Sequence, residues 1–275
     1  MTVDFLFDSL VSLFPSWENT DPFLVISMLI PLVATFGFIT VYALVVIYAE
    51  LKVSSFIQDK VGPMGQGVGL HAGKWGLLQP IADALKLLSK EDIIPSSANK
   101  LLFILAPFMI FVGAFISFIA LPFNGSIIVS DLNIGIFYIL GVGSLAVIAL
   151  ILAGWSSNNK WSLYGGMRSA AQIISYEIPA GLSLIVVIML AGSLNMQEII
   201  IYQQGGIFNW IIFDNPFMPI AFVVYFISAL AETNRTPFDL PESESELVAG
   251  FVTEYSGMRY AFFFLSEYAN MFVVS

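Results

Sequence analysis

Residues 22–49, 101–130 and 132–159 contain no Asp, Glu, Lys or Arg, and each is long enough to cross a lipid bilayer as a helix. A spanning helix needs roughly 20 apolar residues. A fourth stretch, 169–192, is interrupted only by Glu177, and a fifth, 215–231, is uncharged but at the short limit. A sixth begins near Tyr260, holds Glu267 and is still apolar at Ser275, so a continuation beyond that residue is expected. The composition agrees: 58% of the 275 residues are hydrophobic and only 11% charged, against about 25% charged in an ordinary soluble domain. The expected fold is an all-α membrane protein, a single transmembrane domain of about six helices. Its spans lie at about 22–49, 101–121, 134–155, 169–192, 215–231 and 258–275.

The charged residues then set the orientation. Lys52, Lys60, Lys74, Lys86, Lys90 and Lys100 fall between spans one and two, Lys160 and Arg168 between three and four, and Arg235 and Arg259 between five and six. The amino terminus and the loops after spans two and four carry acids but no Lys or Arg. Because Lys and Arg are retained on the cytoplasmic side, loops 50–100, 156–168 and 232–257 are expected inside. The amino terminus shows Asp4 and Asp8 instead of a basic segment, so it does not read as a cleaved signal. With no cysteine, the chain has no disulfide, iron–sulfur ligation or thiolate metal site. His71, the single histidine, excludes a two-histidine haem within this chain.

Loop one is too long for a mere connector. Its Gly-rich stretch 62–69 matches neither a dinucleotide fingerprint nor a P-loop. Further along, Leu77, Ile81, Leu85 and Leu88 recur at helical spacing, with Gln79, Asp83, Lys86 and Lys90 largely opposite. That pattern predicts an amphipathic helix lying in the interface. Its apolar face would meet lipid or a lipid-like ligand, or the helix would serve only as a surface-lying connector.

Loop three and its flanks carry Glu232, Asp239, Glu242, Glu244, Glu246, Glu254 and Glu267, against only Arg235 and Arg259. Helix capping around Pro241 accounts for Asp239 and Glu242, and acids in a first turn suit the helix dipole. It does not account for seven. Buried together, such carboxylates repel one another, so some would hold protons near neutral pH, as a proton relay requires. Arg235 is expected to pair with neighbouring acids. Glu177, at mid-span, costs about 2.5–3.5 kcal/mol to insert and is a functional candidate by default. The alternative for it is a hydrogen bond to a neighbouring helix.

The strings Ala231-Glu-Thr-Asn-Arg-Thr-Pro-Phe-Asp-Leu-Pro-Glu242, Glu244-Ser-Glu-Leu-Val-Ala-Gly250 and Thr253-Glu-Tyr-Ser-Gly257 resemble the signature of the quinone-site membrane subunit of respiratory complex I. This family comprises the H subunit of the bacterial NADH:quinone oxidoreductase and NADH dehydrogenase subunit 1 of mitochondria. Gln58-Asp-Lys-Val-Gly-Pro63, Gly76-Leu-Leu-Gln-Pro-Ile-Ala-Asp83, Lys86-Leu-Leu-Ser-Lys-Glu-Asp92, Ser157-Asn-Asn-Lys160 and Ser169-Ala-Ala-Gln-Ile-Ile-Ser-Tyr-Glu-Ile-Pro179 extend the resemblance from about Glu50 to Ser275. The family normally has eight spans. It usually reads Glu-Arg-Lys where this chain has Glu50-Leu51-Lys52, and Asp-Arg where it has Asp59-Lys60; Lys lacks the bidentate geometry of Arg.

The resemblance implies a subunit of a proton-pumping NADH:quinone oxidoreductase in a bacterial plasma membrane, rather than a mitochondrial inner membrane. The subunit would hold no redox centre of its own. Quinone, either ubiquinone or menaquinone, would be the substrate, with FMN and iron–sulfur clusters in partner subunits. With adjoining small membrane subunits and the hydrophilic cluster-bearing subunits, it would enclose a chamber that admits quinone. Lys52, Gln58, Asp59 and Lys60 would lie near that cavity. Glu177, Glu232, Asp239, Glu242, Glu244 and Glu246 would form the proton path. Two alternatives remain. The homologous subunit of a membrane-bound hydrogenase or ferredoxin-linked complex would share the topology. An autonomous secondary transporter would need an internal repeat with paired broken helices, and no duplication of the loop-three pattern occurs in the first half.

Overall fold

The computed structural model of the chain describes residues 21–60, 62–63, 74–123 and 128–275, without the side chains of residues 21–28, 74, 242 and 244. Every regular element among the described residues is helical. In order these are α1 (Asp21–Ile57), a 3-10 turn at Lys74–Gly76, α2 (Gln79–Ser89), α3 (Lys100–Ser117), α4 (Gly135–Gly143), α5 (Leu145–Ser156) and α6 (Lys160–Ala191). They continue with α7 (Met196–Tyr202), a turn at Ile207–Asn209, α8 (Ile211–Asp214), α9 (Met218–Glu232), turns at Leu240–Glu242 and Gly250–Val252, α10 (Glu244–Leu247) and α11 (Gly257–Val274). The chain is a polytopic bundle. Among the described residues, four stretches of helix are long and apolar enough to cross a membrane: 29–57, 100–117, 135–156 and 160–191. α9 is a shorter apolar helix of 15 residues, and α11 has 18 residues, including Arg259 and Glu267.

Local chemistry explains the boundaries. The Asn99 side chain accepts the amide of Leu102 to open α3, and Asn159 accepts that of Trp161 to open α6, each satisfying an otherwise orphaned N–H. Gly192, with φ 71°, closes α6 in the left-handed region while its N–H reaches the Ile188 carbonyl. Helix α6 therefore begins at Lys160, nine residues before the uncharged stretch: the Asn159 cap starts it, and nothing from Lys160 to Arg168 breaks it.

Helices pack closely where side chains vanish. A Cβ on Gly154 would stand 2.6 Å from the Ser162 carbonyl oxygen, and one on Gly166 would stand 2.7 Å from the Leu150 carbonyl oxygen, so α5 and α6 meet backbone to backbone. Small residues serve membrane bundles in this way, because lipid tails already match Leu for apolarity. The largest buried cluster joins Phe103 and Ala106 of α3, Leu150 and Ala153 of α5, Ile173 of α6 and Phe263 of α11. Tyr255 stacks on Phe103 with centroids 4.1 Å apart. Burial pushes its phenol up to about 12, opposed by hydrogen bonding from Ser156 and Ser157, so it stays neutral.

The end of the bundle that carries the basic residues is laced together. The Asn99 amide donates to the Ser156 carbonyl, the Ile93 amide to Ser256 Oγ, and Asn159 Nδ2 to Glu254 at 2.6 Å. Arg259 pairs with Asp92 at 3.2 Å. Beside this end lies α2, where Gln79 bonds Asp83 while Leu77, Ile81, Leu85 and Leu88 are exposed. The opposite end is tied by Asn195, which donates to Asp131 at 2.7 Å and caps α7 through the amides of Gln197 and Glu198.

Candidate functional site

Helix α9 is about 22 Å long at 1.5 Å per residue, less than the hydrocarbon core of roughly 30 Å. The chain after it turns inside the bundle. Gln172 holds that turn: its Nε2 lies 2.8 Å from the Ala231 carbonyl, 2.9 Å from the Phe238 carbonyl and 3.0 Å from Asn234 Oδ1. Gln172 stands about 18 Å along α6 from its Lys160 end. Asn234 also exchanges hydrogen bonds with Ser169, and it occupies the left-handed region at φ 50°, which Asn tolerates better than most residues. Hydropathy alone puts Glu232 at the edge of a loop. The structure sets it deep in the bundle, because α9 ends early.

Two carboxylates from different helices approach one turn of the third span. Ser144 joins α4 to α5 in that span, its backbone still helical (φ −60°, ψ −18°) and its N–H on the Leu140 carbonyl. On one side Ser144 Oγ lies 3.0 Å from Glu177 Oε1, a hydrogen bond from α4–α5 to α6. On the other side Glu232 Oε1 would stand 3.6 Å from a Cβ on Gly143. That is ordinary contact distance, so the Gly143 backbone lies close beside the carboxylate.

Glu232 also faces open space. It lines a cavity of ≈ 270 Å³ whose walls include Ala180 and Leu184 of α6, Tyr225 of α9 and Asn270 of α11. It lines a second cavity of ≈ 60 Å³ with Thr233, Asn234, Glu267 and again Asn270. Glu232 and Asn270 thus border both. The larger cavity has room for several waters, and Tyr225 donates from its hydroxyl to the Val274 carbonyl beside it.

Three residues later the chain delivers Arg235 into a group of acids. Its Nη1 is 2.8 Å from Glu50 of α1, and its Nε is 3.0 Å from Glu267 of α11. Its guanidinium lies 4.7 Å from the ring centroid of Tyr268, whose hydroxyl donates to the other oxygen of Glu50 at 2.8 Å. One cation thereby joins α1, the loop after α9 and α11.

The remaining sequence candidates are placed elsewhere. Glu246 forms a 2.6 Å ion pair with Arg168, both about half exposed, and Asp239 is exposed. The side chains of Glu242 and Glu244 lie outside the described residues. Lys52 Nζ donates to the Pro63 carbonyl at 2.8 Å and sits over the Tyr48 ring. Gln58, Asp59 and Lys60 are exposed at the end of α1 and line neither cavity described above. Among the described residues no group of His, Asp and Glu could hold a metal ion.

Sequence reasoning assigns no role to Ser144 or Gln172. Ser144 sits in a Gly-Val-Gly-Ser run, and its hydroxyl is the polar side chain of that run, a visible if small signal within an apolar span. Gln172 is a lone amide on an apolar helix, and its signal is the cost of burying it unpaired.

Residues 30–275 match the family model described as NADH dehydrogenase. The chain is similar to the NADH-quinone oxidoreductase H subunit of Chlorobaculum tepidum, with 54% identity over 255 residues, covering 92% of this chain and 68% of that protein. It is similar to the protein of the same name from Bacillus mycoides, with 50% identity over 260 residues, 94% of this chain and 73% of the relative. For the protein of that name from Geobacillus sp. the identity is 48% over 270 residues, 98% of this chain and 76% of the relative.

Proposed function

This chain belongs to the NADH dehydrogenase family, and from that footing we propose that it is the quinone-site membrane subunit of a proton-translocating NADH-quinone oxidoreductase. In this reading it does no redox chemistry. Together with partner subunits that carry FMN and iron–sulfur clusters, it shapes the chamber that admits quinone from the bilayer. Lys52, Gln58, Asp59 and Lys60 border that chamber at the end of α1. The exposure of Gln58, Asp59 and Lys60 suits residues that complete a cavity only with a neighbouring subunit.

The proton path runs from the loop acids Asp239, Glu242, Glu244 and Glu246 to Glu232 and on to Glu177. The observation that carries it is the convergence of Glu177 and Glu232 on one turn of the third span, beside a cavity inside the bundle. Carboxylates held this far from bulk water are expensive unless they serve a purpose. Charge on one disfavours charge on the other, so electron arrival at the quinone can shift a shared proton. The bacterial relatives support a bacterial plasma membrane, and the one-sided Lys and Arg support a cytoplasmic position for the acidic loop.

The test uses the assembled complex in vesicles, with NADH-driven quinone reduction and proton uptake measured together. Glu177→Gln and Glu232→Gln keep shape but cannot titrate. Proton uptake is expected to fall at least tenfold in each, with quinone reduction reduced or uncoupled. Normal rates and normal uptake in both variants would leave these acids as helix-packing groups.

A further inference from the structure

The contact between Ser144 and Glu177 has a property that a fixed structural hydrogen bond lacks. Ser144 Oγ has two acceptors within reach, Glu177 Oε1 at 3.0 Å and the Leu140 carbonyl at 3.2 Å. A hydroxyl carries one hydrogen and two lone pairs. When Glu177 is ionised, the hydroxyl hydrogen points to its carboxylate. When Glu177 is protonated, its O–H donates to Ser144 Oγ and the serine hydrogen turns back to Leu140. Each state then keeps both the hydroxyl and the carboxyl partnered, so neither carries the desolvation penalty of an orphaned donor or acceptor.

The surrounding backbone suits this role. Ser144 falls at the junction of α4 and α5, one residue after the glycine beside Glu232 and in contact with Glu177. Gly143 before it lies within contact distance of Glu232, the other ionisable group that approaches this turn. Ser144→Ala would remove this partner from Glu177 in both states. A group that only donates would favour the ionised form of Glu177 alone.

We propose that Ser144 is a positioning residue for proton transfer: it lets Glu177 gain and lose a proton inside the bundle by turning one hydroxyl between Leu140 and the carboxyl. The proton itself binds and leaves at a Glu177 carboxyl oxygen, and Ser144 keeps its own hydrogen throughout. This inference rests on the reading that Glu177 titrates during turnover, and the test separates the two.

Infrared difference spectra would be recorded on the assembled complex as quinone is reduced, for the wild type, Ser144→Ala, Ser144→Thr and Glu177→Gln. The carboxylic acid carbonyl band missing in Glu177→Gln belongs to Glu177. In Ser144→Ala that band is expected to shift position, with protons moved per quinone reduced falling at least threefold. Ser144→Thr, which keeps the hydroxyl, is expected to restore both. If Ser144→Ala assembles poorly, Ser144→Cys supplies the weak-donor case, with a shifted band again expected. A Glu177 band at the wild-type position in either variant, with wild-type pumping, overturns the role of Ser144 and leaves the proton path standing. The absence of any band that depends on Glu177 overturns the path and this inference with it.

Discussion

Arg235 Nη1 lies 2.8 Å from Glu50 Oε1 across a sequence separation of 185 residues. This pair closes a loop after α9 onto α1, and Glu267 at 3.0 Å makes the cation shared. Arg235→Gln is expected to leave two carboxylates near each other without a cation. Removing one partner of a fully buried pair costs about 3–5 kcal/mol; with Glu50 partly exposed, a loss of ~1–2 kcal/mol is expected here. Thermal unfolding of the detergent-solubilised complex would report it, and adding Glu267→Gln should recover part of the loss. Arg235→Lys should recover little, since one ammonium cannot reproduce the planar contacts to two helices.

Gln172→Leu removes the donor that serves two carbonyls and the Asn234 side chain. The Asn234 amide still reaches the Ala231 carbonyl and Ser169 still reaches Asn234 Oδ1, so the half-buried Phe238 carbonyl is the acceptor left without a donor. An unpartnered buried acceptor costs about 1–3 kcal/mol, and the Phe238 end of the turn should loosen. Protease cleavage within this turn, measured on the intact complex, should accelerate at least several-fold. An unchanged cleavage rate would show that Asn234 and Ser169 hold the turn by themselves.

Two alanine substitutions on one helix should behave oppositely. A Cβ on Gly165 would lie 2.6 Å from the Gly250 Cα, a backbone atom that cannot swing away, whereas one on Gly181 meets nothing within 4 Å. Overpacking of this kind costs about 1–3 kcal/mol. Gly165→Ala should reduce the yield of assembled complex, while Gly181→Ala should match the wild type. Equal yields from both would contradict the close approach of α6 to the Gly250 turn.

Glu246→Gln offers a cleaner functional reading. Its ion pair with Arg168 is about half exposed on both sides, and pairs of that kind contribute about 1 kcal/mol or less. Assembly and melting temperature should therefore stay near wild type. Any loss of proton uptake in this variant then reflects proton movement, and wild-type uptake would remove Glu246 from the path.

The all-helical, polytopic character of the chain was legible because lipid forbids charge, and gaps in charge mark apolar helices. The place of Glu177 within an apolar helix was legible for the same reason, and its hydrogen bond from Ser144 is the neighbouring-helix contact that the sequence reading offered as the alternative. The depth of Glu232 was not legible. Hydropathy counts it as the first loop residue, yet α9 is short and Gln172 anchors the following turn within the bundle. That anchoring depends on side chains 59 to 66 positions away, which no local pattern encodes. The clustering of Glu50, Arg235 and Glu267 was hidden similarly, since it joins residues from three distant elements. The Asn159 cap was readable in principle, but the uncharged stretch beginning at 169 masked the earlier helix start.

The depth of Ser144 has an electrical meaning. The helical stretch 135–156 has 22 residues, about 33 Å at 1.5 Å each, and Ser144 stands about 18 Å from the end near the basic residues. A full crossing of the membrane field is worth about 2.3 kcal/mol per elementary charge per 100 mV. A proton travelling from the basic end to Glu177 therefore crosses somewhat more than half of that field, about 1.3 kcal/mol per 100 mV. On the proposed proton path, the occupancy of Glu177 should change with membrane voltage at constant pH, and a proton bound there would sense the membrane field.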